Sequence, residues 1–480
     1  MRRIILIGCL LITASSFALA QQARISGKVN SLADGDTVLL TTNDVGDPFL
    51  SNNISYKATI TKKAFSFKIP TGKTPMHLSI SYIARNNDDR HATNKLNRLA
   101  LDNYYLETGD NIFISEDNEK YRFHGSGAGK FSLINALNDL QKKVYTGIKW
   151  GDPSETKRYF LKHDTLLLER MRLIRSEKRS LSENVFYLLE ADVTGDYLSR
   201  VEFINSMLPK SLINTARQNL KGYKSIVPKE ILNFRQLDRH DITKLSGNYA
   251  SGIITRYKFD SCAYVNKPFS IFKSYNFFLQ HHSGAIRQRL LLGIIYLDKD
   301  SGNDLYPLVN SAIVRIDYPP FKKILNSLKS NRLAGADAYP FNLPDTSGKF
   351  HKLGEFKGKV ILLDFWFTGC GICLQSAPFL KKIEEHFKEE PFVVITVSLD
   401  NKIKVWKETI KSHKYTSENT IDLFTEEKNF NHPIAKYYFI DGCPTFILID
   451  KAGKLMVSPG SPIADNGAKL TSLISKALKE

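Results

Sequence analysis

Asp364-Phe365-Trp366-Phe367-Thr368-Gly369-Cys370-Gly371-Ile372-Cys373, continued by Leu374-Gln375-Ser376-Ala377-Pro378, decides how the last part of this 480-residue chain folds. The run Val360 to Phe367 is apolar except for Asp364, and its short β-branched and aromatic character reads as a buried strand. Beyond it, Phe379, Leu380, Ile383 and Phe387 recur at helical spacing, with Lys381, Lys382, Glu384 and Glu385 on the opposite face. The two cysteines therefore fall where a strand ends and a helix begins. The first cysteine is expected at the exposed tip, where free backbone N–H groups and the helix dipole favour a thiolate. The second lies one turn into the helix, close enough to close a small disulfide.

This stretch resembles a thioredoxin active site, in which a buried acid within a D-F-W segment precedes the first cysteine by six residues. Asp364-Phe365-Trp366 stands at that offset. Gly442-Cys443-Pro444-Thr445, ahead of the strand Phe446 to Ile449, matches the loop whose cis-proline faces the disulfide. Around them the order is strand, CxxC helix, strand Phe392 to Leu399, a helix around Val405, Trp406 and Ile410, the cis-Pro strand, a hairpin through Asp450 to Lys454 into Leu455-Met456-Val457, and a final helix. That is the thioredoxin order. Phe341-Asn342-Leu343-Pro344-Asp345, Gly348-Lys349 and Lys357-Gly358-Lys359 narrow the likeness to the TlpA/ResA-type extracytoplasmic branch, over residues 335–480.

The resemblance implies a thiol-disulfide oxidoreductase that uses no cofactor and no bound metal. Cys370 would be its nucleophile, Cys373 its resolving thiol and Asp364 the proton acceptor for that second thiol. Gly371, Ile372, Cys443 and Pro444 would meet an extended substrate segment, with Trp366 among the substrate-side residues though packing beneath the site. The expected partners are disulfide-containing proteins and a membrane-bound electron donor. The sequence departs from the pattern at three places. Ile372 stands where reducing sites usually carry Pro, Ser376 where the TlpA/ResA branch commonly has Glu, which leaves Asp364 as the only buried acid expected, and Cys443 where Thr, Val or Ile usually precedes the cis-Pro. Cys443 brings a third sulfur to the site, either to pair with or tune Cys370 or simply to fill a gap. Leu363 and Phe367 occupy the positions where a peroxiredoxin needs Pro and Thr, which argues against peroxidase chemistry. A Sco-type copper chaperone needs three residues between its cysteines. A three-thiolate soft-metal site and a redox-inactive interaction module remain as alternatives.

Met1-Arg2-Arg3, the apolar run Ile4 to Ala20 and the pattern Ala18-Leu19-Ala20 read as a signal peptide over residues 1–20, which implies export to the periplasm or cell envelope. Processing as a lipoprotein at Cys9 would leave too short an apolar core. The remaining cysteines, Cys262, Cys370, Cys373 and Cys443, are too few to staple a chain this long, so its domains must rest on ordinary cores. The net charge of +18 is uneven: residues 335–480 hold 19 Lys and no Arg against 18 acids, so the excess lies upstream. No compact block of like charges appears, and the excess reads as a solvated basic surface rather than a nucleic-acid interface.

The expected architecture is multidomain: an all-β sandwich or barrel at 21–126, an α-helical region at 127–334 and an α/β thioredoxin fold at 335–480. Eight short β-rich runs, punctuated by turns such as Asp34-Gly35-Asp36 and Thr108-Gly109-Asp110, predict an antiparallel β domain resembling the β-rich module often found ahead of TlpA-like domains. Gly125-Ser126-Gly127-Ala128-Gly129 reads as a linker. Beyond it, Leu133, Leu137 and Leu140, then Leu161, Leu166, Leu167 and Met171, and later Ile286, Leu290, Leu291, Ile294 and Ile295 keep helical intervals. Tandem His281-His282 points its side chains apart on a helix and gives no metal site, and Cys262 reads as a small core residue.

Overall fold

The computed structural model describes residues 21–45, 53–83, 101–117, 120–144, 146–149, 151–202, 210–263 and 267–480. The expected signal peptide lies outside them. The chain divides into two compact units, one formed by 1–43, 53–138 and 179–181, the other by 44–52, 139–178 and 182–480.

In the first unit, all eight expected β runs form strands: β1 (Gln22–Lys28), β2 (Thr37–Asn43), β3 (Ile54–Thr59), β4 (Ala64–Pro70), β5 (Met76–Ile83), β6 (Leu101–Leu106), β7 (Asn111–Asp117) and β8 (Lys120–Ser126). Apolar side chains alternate with polar ones, so Phe65, Phe67 and Ile69 of β4 are buried while Ser66 and Lys68 face water. One face of each sheet is thereby committed to a core. The strands pair in two four-stranded sheets, β4-β1-β7-β8 and β3-β2-β5-β6. One pairing departs from the antiparallel expectation: β1 and β7 run parallel, and the five strands between them supply the long crossover that requires.

The glycine-rich stretch expected to be a linker is a tight strand-to-helix turn instead. Gly125 (φ 97°) and Gly127 (φ 86°) hold conformations that side chains rarely adopt, and a Cβ on Gly127 would lie 2.1 Å from Asp110 Oδ1. Helix α1 (Ala128–Val144) starts immediately, and its Lys130 donates to both Asp110 (2.7 Å) and Glu107 (2.8 Å). Phe131 then packs on Tyr104 and Phe123 of the sheets.

The second unit begins with helices: α2 (Thr156–Ser176), α3 (Glu183–Ser199), α4 (Ile213–Leu220), α5 (Lys229–Leu232), α6 (Gly247–Lys258), α7 (Ile271–His281), α8 (Gly284–Leu297), α9 (Tyr306–Arg315) and α10 (Pro319–Asn331). Helix α8 runs through their core, with Ile286, Leu290, Ile294 and Ile295 fully buried, as their spacing predicts. In α2, Leu166, Leu167 and Met171 are buried but Leu161 is 45% exposed, so the apolar stripe is narrower than expected. His281 and His282 face different partners, the Phe277 carbonyl and the Asp238 carboxylate. Cys262 is half-buried with a free thiol.

Helices α3 and α6 cross at glycines. A Cβ on Gly195 would sit 2.1 Å from the Asn248 carbonyl oxygen, and one on Gly252 would sit 2.4 Å from that of Gly195. Backbone cannot yield as a side chain does, so Gly195→Ala is expected to destabilise this unit by about 3 kcal/mol, measured by urea unfolding.

The remaining elements are the hairpin β9 (Asn342–Pro344) and β10 (Phe350–Lys352), then β11 (Val360–Trp366), α11 (Gly371–His386), β12 (Phe392–Ser398), α12 (Ile403–Ile410), β13 (Ile421–Phe424), α13 (Pro433–Tyr437), β14 (Thr445–Ile449) and α14 (Ala468–Lys479). The sheet order is β13-β12-β11-β14, with only β14 antiparallel to its neighbour. All seven residues of β11 are buried, because both sheet faces are covered. Val360 and Leu362 meet Leu380 and Ile383 of α11 and Ile474 of α14, whereas Ile361, Leu363 and Phe365 meet Ile434 and Ala435 of α13. The expected strand Leu455-Met456-Val457 shrinks to one bridge, Leu455 to Ile449, and a bond from Met456 N–H to the Leu448 carbonyl (2.9 Å). Pro459 and Pro462 follow closely and lack the donors a longer ladder needs. Among the described residues, no helix is long and apolar enough to cross a membrane.

Candidate active site

At the C-terminal end of β11 the chain turns through Thr368 and Gly369 (φ 94°), a conformation suited to glycine. This turn is held from the next strand. The Asp400 carboxylate accepts from the Thr368 N–H (2.9 Å), the Thr368 hydroxyl (2.9 Å) and the Ser398 hydroxyl (2.9 Å). The Gly369 N–H donates to the Tyr415 hydroxyl (3.1 Å). Cys370 is thereby delivered to the N-cap of α11, where its Sγ accepts the Cys373 N–H (3.1 Å) and no acidic residue occupies the first turn. The helix end favours negative charge on that sulfur.

Cys370 and Cys373 are joined in a disulfide, with their Cα atoms 5.3 Å apart. The expectation that the first cysteine is the exposed tip is not met. Cys370 and Cys373 are each 5% exposed, and what projects from the helix end is Gly371 and Ile372, the latter 56% exposed. The cause is the loop opposite: Cys370 Sγ lies 3.6 Å from the Cys443 carbonyl oxygen. The Cys443–Pro444 peptide is cis.

Trp366, expected among the substrate-contacting residues, cannot meet a substrate in this conformation. It is fully buried and stacks on Tyr415 with ring centroids 4.9 Å apart. With Trp406, Phe424 and both cysteines it forms the floor of the site. Ser376, also buried, turns its hydroxyl to the Ile372 carbonyl. Pro378 lies inside α11.

Asp364 is the electrostatic centre of this region. It shares a sheet face with Leu362 and Trp366, the face that packs against α11. It is 4% exposed, and among the described residues its Oδ1 finds no hydrogen-bond partner. Burial, and then the negative charge of Asp422, push its carboxyl up to about 7, where it exchanges a proton at neutral pH. The register explains the second influence. Asp364, Thr396 and Asp422 stand in one rank across β11, β12 and β13, hence on one sheet face. Asp422 is held by the hydroxyls of Thr396 (2.7 Å) and Thr420 (2.9 Å), and burial raises its own carboxyl. Glu384 of α11, raised by burial too, accepts from the Ser417 hydroxyl (2.6 Å) and feels Asp422. Asp364 is therefore not the lone buried acid that the sequence suggests. The Cys443 thiol is pushed strongly up by burial, then by Asp364, Asp400 and Asp441.

The residues missed by sequence reasoning are Asp400, Tyr415, Thr396 and Asp422. Each reaches the site from a neighbouring strand or loop, and only the alternation of β12 and β13 around polar residues hinted at them. Among the described residues, no group of three His, Cys, Asp or Glu side chains is arranged to hold a metal.

A family model described as thioredoxin-like matches residues 358–455. Thiol-disulfide oxidoreductase ResA of Bacillus thuringiensis subsp. konkukian is 31% identical over 122 residues, covering 25% of this chain and 66% of that protein. ResA of Bacillus subtilis is 29% identical over 123 residues, covering 25% of this chain and 64% of that protein. This chain thus spans just under two thirds of each of these relatives. Among solved structures, the thioredoxin domain of a thiol-disulfide oxidoreductase from Bacteroides vulgatus shows 29% identity, covers 30% of this chain and 97% of that one, and has a TM-score of 0.27.

Proposed function

We propose that this protein, whose residues 358–455 match a thioredoxin-like family model, is a thiol-disulfide oxidoreductase that reduces protein disulfides through Cys370 and Cys373. The observation that carries it is the Cys370–Cys373 pair at a helix N-terminus, above a buried carboxyl poised near neutrality. The Cys370 thiolate attacks one sulfur of the substrate disulfide, and the other sulfur leaves as a thiolate. Cys373 then passes its proton to Asp364 and attacks Cys370 Sγ, expelling the second substrate thiolate. Two electrons move from the dithiol to the substrate, and the enzyme is left as the Cys370–Cys373 disulfide. Gly371, Ile372 and the backbone of Cys443 beside Pro444 receive the substrate chain.

The return to the dithiol requires a second partner, for which a membrane-bound donor of electrons is proposed. Export to the periplasm or cell envelope is proposed from the basic and apolar opening of the sequence. Direction follows the relative potentials, because the exchange is reversible.

A single-turnover experiment tests this. The reduced protein, mixed with oxidised insulin and no other reductant, is expected to lose two hydrogens while one insulin disulfide opens, as read by intact mass. Unchanged masses on both sides would refute the assignment and leave the interaction-module alternative.

A further inference from the structure

The helical part of the second unit carries none of the redox chemistry, yet it reaches the loop that faces the disulfide. Lys299 stands in the turn after α8, and its side chain is almost wholly buried. Its ammonium donates to both oxygens of Asp441, at 2.9 and 3.0 Å, and pairs with Asp300 at 3.1 Å. Arg332, itself buried, also binds Asp300. The ammonium lies 4.5 Å above the Tyr296 ring, which meets Phe439 edge-on at 6.3 Å. Phe439 takes a left-handed backbone conformation (φ 54°) and packs onto the helical core. Lys469 of α14 closes the same junction by donating to the Gly302 carbonyl (2.7 Å).

Asp441 is followed at once by Gly442, Cys443 and Pro444, and the Cys443 carbonyl lies 3.6 Å from Cys370 Sγ. An unbroken chain of contacts thus runs from the rigid helix α8 through Lys299 and Asp441 to the nucleophilic sulfur. A buried ammonium held by both oxygens of one carboxylate fixes geometry in a way that a fully exposed pair does not. We infer that Lys299 is a positioning residue of the redox site: it straps the cis-Pro loop to the helical region and so sets how well the loop receives a substrate strand. This rests on the oxidoreductase function proposed above.

The full chain is compared with Lys299→Met and with the charge swap Lys299→Asp/Asp441→Lys. Three quantities are measured: amide hydrogen exchange at residues 441–445, KM and kcat for insulin reduction, and the equilibrium potential of the Cys370–Cys373 couple. Lys299→Met is expected to speed exchange at 441–443 and 445 but not in α11. It is expected to raise KM about tenfold with kcat and potential unchanged, since displacement of a binding loop weakens alignment rather than sulfur chemistry. The swap is expected to restore much of both effects. Unaltered loop exchange and KM in a folded Lys299→Met variant would overturn the strap. If the wild type turns over no disulfide, the proposed function fails while loop exchange still decides the strap. If Lys299→Met does not fold, the swap decides alone, because loop exchange far from the wild-type rate in the folded swap would overturn it.

Discussion

Replacing Cys373 with Ala is expected to leave the protein joined to its substrate. With Cys370 intact, attack on a protein disulfide still proceeds, but the mixed disulfide has lost the thiol that resolves it. The covalent complex should accumulate to near stoichiometry on non-reducing gels, and turnover should fall by three orders of magnitude or more, roughly the loss expected when a chemical step is removed. Cys370→Ala should form no complex at all, because Cys373 lies one turn into α11, away from the N-cap position that favours a thiolate. Among the described residues, Cys443 is the only other cysteine close to the site, and it is a poor substitute resolver. Burial and the carboxylates of Asp364, Asp400 and Asp441 keep its thiol protonated, and exchange needs the thiolate. Cys373→Ala/Cys443→Ser should therefore trap no more complex than Cys373→Ala. A large increase on removing Cys443 would show that this thiol resolves the intermediate, through the Cys370–Cys443 link that the sequence leaves open.

The second large effect belongs to Asp364. Its carboxyl is raised from 3.8 to about 7 in the folded protein, so the fold holds this proton more tightly than the unfolded chain does. The associated stability is fully present below the unfolded value near 4 and is lost as pH rises through about 7. The whole span amounts to ~4 kcal/mol. Asp364→Asn removes the ionisation, so the variant should be more stable than the wild type at pH 8 and nearly equal to it at pH 4, as measured by urea unfolding. The gain should fall short of the full amount, because a buried amide must also find partners. Catalysis should change in the opposite sense. Only ionised Asp364 can accept the Cys373 proton, so the wild-type rate of mixed-disulfide resolution should climb as pH passes 7. In Asp364→Asn that rise should vanish and the rate at pH 8 should drop about a hundredfold. A pH-rate profile superimposable on that of the wild type would remove Asp364 from the mechanism.

Much of this site was legible in the sequence because its main signals are local. The apolar run around Asp364 could only be a strand buried on both faces, and the stripe from Phe379 to Phe387 could only be a helix packed on it. The cysteines at their junction then had to lie at a helix N-terminus. Pro444 ahead of an apolar run marked the facing loop. What escaped notice depends on contacts across long stretches of chain. The rank Asp364, Thr396 and Asp422 follows from strand register, which no local pattern fixes. Lys299 and Asp441 are 142 residues apart. Cys370 was expected at the surface because the facing loop, which covers it, comes 73 residues later. The stretch Gly125 to Gly129 reads as a linker for a related reason: glycine serves flexible linkers and tight turns alike, and only the close approach of Asp110 requires the turn.

An equilibrium redox titration of the protein without its first 20 residues, with mass mapping of paired cysteines at each potential, tests the central claim most directly. A single reversible two-electron couple between Cys370 and Cys373 is expected, with Cys262 and Cys443 remaining thiols throughout. A midpoint near −270 mV, about that of thioredoxin, marks a protein reductase that depends on a dedicated donor. Failure of Cys370 and Cys373 to interconvert, or pairing of Cys370 with Cys443 in their place, would contradict the account.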